Sequence, residues 1–327
     1  MQYTVTVDTE EEWDWSSSFR TSYESVENIK ALPDFQSACD RLGVKATYFV
    51  NHSVLKNHEA SARIRELNQH PNVEIGFHIH PWNTPPYSAS EEVVPTRESF
   101  LHNVPREIAI QKLDTVLEAF ADNDIQPTSF RGGRYSTSTW IQDHLFQHGC
   151  IADASVLPFT TWADEGAPDF RDRDLTPRRR SMGDGAHGLW EIPLTLAFTR
   201  KPWRFWHQFY QAGERTPLKQ LRCIGIAERT LVKKVWLNLE HPLGTSIEAL
   251  LPILRRSEVS TINFTLHSSS LAPGLNPYTR TASDLKRLYA RLESAVAMLN
   301  GWHETSPATV TEVARHLEAQ YHENSRN

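Results

Sequence analysis

The stretch Gly76-Phe77-His78-Ile79-His80-Pro81-Trp82 sets two imidazoles one residue apart, after an apolar run and before a Pro-rich loop. A strand has a period of two, so His78 and His80 share one face while Phe77 and Ile79 take the other. Two facing imidazoles gain little from each other in water and much from a cation between them. Asp8 and Glu10, at the end of the first apolar run, have the same spacing. Both carboxylates can therefore share a face; the plainer alternative is an acidic turn, since Glu11 and Glu12 follow. Two carboxylates with two imidazoles offer hard oxygen and borderline nitrogen, a set suited to zinc or a similar divalent ion, with one carboxylate left over as a base.

Two more clusters fall where apolar runs meet loops. In Phe130-Arg131-Gly132-Gly133-Arg134-Tyr135 the glycines let backbone approach a ligand, and Arg131 can hold a carboxylate with two parallel bonds. The bland reading is a glycine turn with surface arginines. His267 ends the apolar run Thr261-Ile262-Asn263-Phe264-Thr265-Leu266 and precedes three serines. Taken alone it reads as a satisfied core or rim histidine.

The elements that must position these groups alternate between strand-like and helix-like runs. Residues 3–7, 44–50, 72–80, 127–133, 151–157, 189–198 and 261–267 read as strands. Residues 28–43, ending at Gly43, then 54–69, 106–120, 138–149, 245–257, 282–300 and a last segment read as helices. The polar, Pro-rich stretch 81–105 is too long for a plain connector. Residues 159–187 read as an inserted polar loop, and 200–233 as an interrupted helical insertion carrying Trp203, Phe205, Trp206, Phe209 and Tyr210. Such β-α alternation predicts a parallel sheet, open or closed into a barrel, with its chemistry at the strand ends.

The 327 residues, 39% hydrophobic and 23% charged, are those of an ordinary globular chain. The net charge of −6, with no basic tract beyond Arg178-Arg179-Arg180, argues against a nucleic-acid partner. That triplet reads as solvated loop. Cys39, Cys150 and Cys223 are odd in number and lack metal spacing, as expected of reduced thiols in a cytoplasmic protein. No positively charged, then apolar, leader opens the chain. No apolar run approaches the length of about 20 residues needed to cross a bilayer.

Taken in chain order, the acidic pair at Asp8 and Glu10, the His78/His80 pair, Arg131-Gly132-Gly133 and the late Leu266-His267 resemble the motif series of the polysaccharide deacetylases, carbohydrate esterase family 4 with NodB homology. Residues 152–158 (ADASVLP) and 190–195 (WEIPLT) also look like segments of that family. GFHIHPW, FRGGRYS and LHSSSLAPG look like a long branch without signal peptide, seen with bacterial glycan and exopolysaccharide synthesis. The resemblance covers most of the chain, least clearly 159–260. It implies an α/β fold, a distorted and incomplete (β/α)7-type barrel of mostly parallel strands, forming a single catalytic domain over 1–327.

The departures from the family pattern are specific. Thr9 stands where the family has a second Asp, so Glu10 is the replacement. The histidines are two apart instead of four, with Trp82 where the family's second histidine would fall. Glycines replace the usual Pro of the third motif. The Asp-Trp pair of the fourth has no counterpart, leaving Trp190 or Trp236 to supply its apolar wall. The implied activity is removal of N-acetyl groups from an N-acetylated sugar or polysaccharide. Glu10, His78 and His80 hold a divalent ion, Zn2+ by preference. Asp8 is the base, oriented by Arg131, and His267 is the acid that protonates the leaving amine. The ion and a backbone N–H near Tyr135 hold the oxyanion. Asp8 and Glu10 can trade roles. Trp82, Arg134 and Tyr135 contact substrate, and Trp82, Trp203 and Trp206 either stack on sugar faces or pack in the core. Two rivals stay open. One is a metal-dependent hydrolase of phosphoesters or cyclic amides, with His267 and then His241 as the candidate further ligands. The other is a non-catalytic carbohydrate-binding relative.

Overall fold

The computed structural model describes residues 1–87, 92–183, 185–213 and 231–325. Its first strand shows how the sequence makes the sheet. β1 (Gln2–Thr9) alternates Tyr3, Val5 and Val7 with Thr4, Thr6 and Asp8, and all six are buried. The apolar set joins the core cluster against the helices. The polar set faces the interior of the sheet's curl, where Thr6 Oγ1 meets Arg131 and Asn263. A strand buried on both faces is the signature of a central parallel strand.

The elements follow in chain order: β2 (Phe19–Arg20), α1 (Leu32–Leu42), β3 (Ala46–Val50), α2 (His52–Lys56), α3 (His58–Asn68), β4 (Val73–Ile79), β5 (Val93–Val94), α4 (Arg106–Ala121), β6 (Ser129–Gly132), α5 (Thr139–Gln147), β7 (Ala152–Asp153), β8 (Arg178–Met182), β9 (His187–Glu191), β10 (Leu196–Phe198), α6 (Trp203–Gly213), β11 (Lys234–Trp236), α7 (Ile247–Arg256), β12 (Thr261–His267), α8 (Ala282–Asn300), β13 (Ser306–Pro307) and α9 (Val310–Asn324). The main sheet runs β12-β1-β3-β4-β6-β7-β9-β8. The first seven pair in parallel and β8 closes the far edge antiparallel to β9. The expected incomplete barrel is what forms. Its open side is sutured by main-chain bonds: Leu239 N–H donates to the Thr265 carbonyl at 2.9 Å, Leu237 N–H to Thr195 at 2.8 Å, and Leu194 N–H to Val156 at 2.9 Å. No described helix is long and apolar enough to cross a membrane.

Several expectations are corrected. The helix over 54–69 is two helices that break at Asn57, whose side chain accepts from Glu59 N and Ala60 N at 3.1 and 3.0 Å and so starts a new one. The segment 159–187 is not all loop: its end is β8, and the arginine triplet lies in it. Arg179 there bonds Glu318 at 2.9 Å and stacks 4.2 Å over Tyr321, and Arg180 pairs with Asp143 at 2.7 Å. The strand over 151–157 shrinks to two residues, and 189–198 splits into β9 and β10. Cys39 and Cys150 are buried free thiols; Cys223 and residues 214–230 of the helical insertion lie outside the described residues.

Candidate active site

Parallel strands in register bring their C-terminal ends to one edge. Asp8 sits opposite His267, and His78 opposite Arg131. Glu10 and His80 lie just past their strands and turn inward. Glu10 Oε2 lies 3.3 Å from His78 Nε2 and 3.1 Å from His80 Nε2, and the two Nε2 atoms are 3.2 Å apart. All three side chains are buried.

The opposite ring nitrogens fix which lone pairs point at this triangle. His78 Nδ1 is 2.7 Å from the Arg131 carbonyl, which can only accept, so Nδ1 carries the proton. His80 Nδ1 is 2.8 Å from Glu11 Oε1 and donates to that carboxylate. Both Nε2 lone pairs then converge with a carboxylate oxygen on one point, an arrangement that calls for positive charge. A tetrahedral centre with bonds of about 2.0–2.1 Å has edges of about 3.3 Å, and the observed edges of 3.1–3.3 Å fit it. The same need shows in the protonation of the bare site. Burial alone would lower His80, but Glu11 and Glu10 outweigh it and push the imidazole up to about 10. Burial would raise Glu10, yet His80 and His267 hold it well below the usual carboxylate range.

Asp8 is held apart from the triangle. Arg131, fully buried, gives it an N–H at 2.6 Å, and spends its other donors on Thr6 Oγ1 (2.8 Å), Ala154 O (3.0 Å) and Thr265 Oγ1 (3.2 Å). Asp8 Oδ2 lies 3.9 Å from His267 Nε2. The far nitrogen of His267, Nδ1, bonds Glu240, whose other oxygen accepts the His267 N–H at 3.1 Å. Burial pulls His267 down, but Glu240, Glu10 and Asp8 push it up to about 9, so it stands protonated at neutral pH.

The two glycines are steric necessities. A Cβ on Gly133 would fall 2.3 Å from His80 Cδ2 and 2.5 Å from the Ile79 carbonyl, and one on Gly132 would fall 1.8 Å from the Ser136 carbonyl. The turn that follows holds Arg134 and Tyr135 at φ 51° and 63°, a left-handed conformation that costs a non-glycine residue energy and clusters at functional sites.

Asp8, Glu10, His78, His80, Arg131 and His267 are thus brought together at one edge of the sheet. Tyr135 and Arg134 line a cavity of about 250 Å³ above them, but two donors of Arg134 are committed to Ser99 (2.6 Å) and Glu165. Trp82 is corrected outright: it is 0% exposed, stacked on His80 with ring centroids 4.0 Å apart, and donates to Glu11 at 3.1 Å, so it braces an imidazole instead of meeting substrate. Trp203 and Trp206 pack around Phe198 and Tyr210, away from the cavity. His241 sits between Trp236 and Tyr278 and accepts from Leu243 N–H, away from the triangle; of Trp190 and Trp236, Trp236 is the one on the cavity wall. Glu11, Glu240, Trp13 and Trp15 went unread. The signal for the first was the unbroken Glu10-Glu11-Glu12 run, and for the tryptophans their i, i+2 spacing beside it. Glu240 carries no local signal.

No family model matches this sequence, and no curated protein does. Solved structures do. A protein of Mycobacterium smegmatis named as a polysaccharide deacetylase superposes with a TM-score of 0.56 at 14% identity, over 98% of this chain and 91% of that one. The PuuE allantoinase matches with a TM-score of 0.48 at 13% identity, over 97% of this chain and 89% of that one. A Pseudomonas aeruginosa PAO1 protein named as a polysaccharide deacetylase gives 0.47 at 13%, over 96% and 89%. The first of these sets the class of fold: the curled, mostly parallel half-barrel seen in a protein named as a polysaccharide deacetylase.

Proposed function

We propose that this chain is a divalent-metal-dependent N-deacetylase of an N-acetylated sugar. The observation that carries the reading is the meeting, on one sheet edge, of a two-histidine, one-carboxylate triangle with a separate Arg-held carboxylate and a carboxylate-held histidine. Glu10, His78 and His80 would hold the ion. When bound, an ion such as Zn2+ supplies Lewis acidity, polarising an amide carbonyl and bringing the pKa of water from 15.7 to about 7. Asp8, kept in place by Arg131, takes a proton from the attacking water. The water oxygen joins the acyl carbon and the C–N bond breaks. His267 gives its proton to the departing amine, and the acyl group leaves as a carboxylate. The 3.9 Å between Asp8 Oδ2 and His267 Nε2 lets both reach the two sides of one amide. A phosphoester reading lacks support in the cavity wall, where the one arginine among the described residues is already paired with Glu165.

The test is metal content and acetate release, from N-acetylglucosamine-containing substrates, for wild type, Asp8→Asn and His78→Ala. Asp8→Asn should keep the ion and lose about 10²–10⁴-fold in rate. His78→Ala should lose both. Zinc-loaded wild type that releases no acetate from any N-acetylated sugar refutes the proposal.

A further inference from the structure

The cavity above the site has an unbroken rim. Trp13 stacks on Trp15 with ring centroids 4.6 Å apart, and Trp15 meets Tyr278 edge-on at 5.6 Å. Tyr278 touches His241 at 5.4 Å, and His241 touches Trp236 at 5.3 Å. From Trp236 the contacts pass to Tyr135 at 6.1 Å and on to Trp162 at 6.0 Å. The last arc is partly polar. Glu165, whose N–H bonds the Trp162 carbonyl at 2.9 Å, pairs with Arg134. Arg134 lies 4.8 Å over Phe19, which is 5.6 Å from Trp13. The circuit follows the loops after β1, β12, β11, β6 and β7 in turn and returns to its start through Arg134 and Phe19 of β2.

A polymer bound along its length needs a groove with two exits. Among the described residues this rim closes on itself, with a second cavity of about 420 Å³ behind its Trp162, Trp236 and His241, and the volume of about 250 Å³ falls below the roughly 300–1,000 Å³ usual for ligand pockets. The aromatic wall suits the apolar face of a sugar ring.

Resting on the deacetylase reading above, we infer that the site admits a single N-acylated sugar unit, free or at a chain end, and does not act on units inside a polysaccharide. The full-length zinc-loaded protein would be given N-acetylglucosamine, its methyl glycoside, the tetra- and hexasaccharide, and a long soluble chitin. The products would be mapped by mass spectrometry. Acetate should come from the monosaccharide and from terminal units only, with kcat/KM per molecule constant within about twofold along the series, since remote units add no binding energy. Quenching of tryptophan fluorescence by the same ligands should show equally flat affinities. Deacetylated internal units, or kcat/KM or affinity rising about tenfold or more with length, would overturn the inference while leaving the deacetylase standing. Absence of acetate from every ligand would remove both.

Discussion

Glu11 is the residue on which the proposed ion site turns without touching it. It is fully buried and takes three donors: His80 Nδ1 at 2.8 Å and Trp82 Nε1 at 3.1 Å on one oxygen, and the Asn51 amide on the other. Glu11→Gln keeps the shape but replaces one acceptor by an NH2. That NH2 must face either the His80 N–H or the Asn51 amide. Flipping Asn51 to relieve the clash removes the bond that its Oδ1 accepts from Val54 N at 3.3 Å, which caps the following helix. Either way at least one buried bond is lost, at about 1–3 kcal/mol each. Carboxylates behind a ligating histidine are typically worth about 10–100-fold in metal affinity, which is about 1.4–2.7 kcal/mol and matches that loss. Zinc affinity measured by competition with a chromophoric chelator should therefore fall by that factor. Glu12→Gln, one residue on, should leave it unchanged, because Glu12 bonds Asn28 and Ser25 instead. A Glu11→Gln affinity within about twofold of wild type would refute the argument that this carboxylate orients His80.

Three more outcomes are expected. Gly133→Ala drives a methyl into the His80 ring, so it should cost about 1–3 kcal/mol of stability and most of the bound zinc; a normal urea midpoint with full metal content contradicts the packing. Arg131→Met leaves Asp8 buried without its partner and should destabilise by about 3–5 kcal/mol, with part recovered in Asp8→Asn/Arg131→Met; strict additivity in a double-mutant cycle would deny the coupling. His267 in the metal-free protein should titrate near 9 by NMR, fall when zinc adds positive charge nearby, and fall in Glu240→Gln. A proton held more tightly in the folded than in the unfolded state stabilises folding fully below the ordinary histidine pKa of about 6.5, and that contribution fades as pH climbs through about 9. Stability that rises over that window in metal-free protein, relative to His267→Gln, counts against it.

The Glu10, His78 and His80 cluster is legible because strand period and donor chemistry are local: two imidazoles at i, i+2 on an apolar strand admit few readings. The strand carrying His267 and the helix Ala282–Asn300 match their sequence bounds for the same reason. What escaped depends on distant partners. Arg179 and Arg180 look like loop until Glu318 and Asp143 arrive to pair with them. Trp82 looks like a sugar platform until Glu11 claims its N–H. Glu240 acquires meaning only because main-chain bonds bring 237–239 beside β12. The break at Asn57 was local in origin, yet the helical pattern on either side masked it.

β1 is made first and completed last. It lies between β3 and β12, and its partners on the β12 side begin at Thr261. During synthesis, one flank of this ribbon therefore stays open until the chain has been extended through Thr261–His267, a bare edge of the kind that invites sticking to other chains. Any version ending before residue 261 would keep both imidazoles of the 78–80 pair and both early acids, yet leave that edge without its cover.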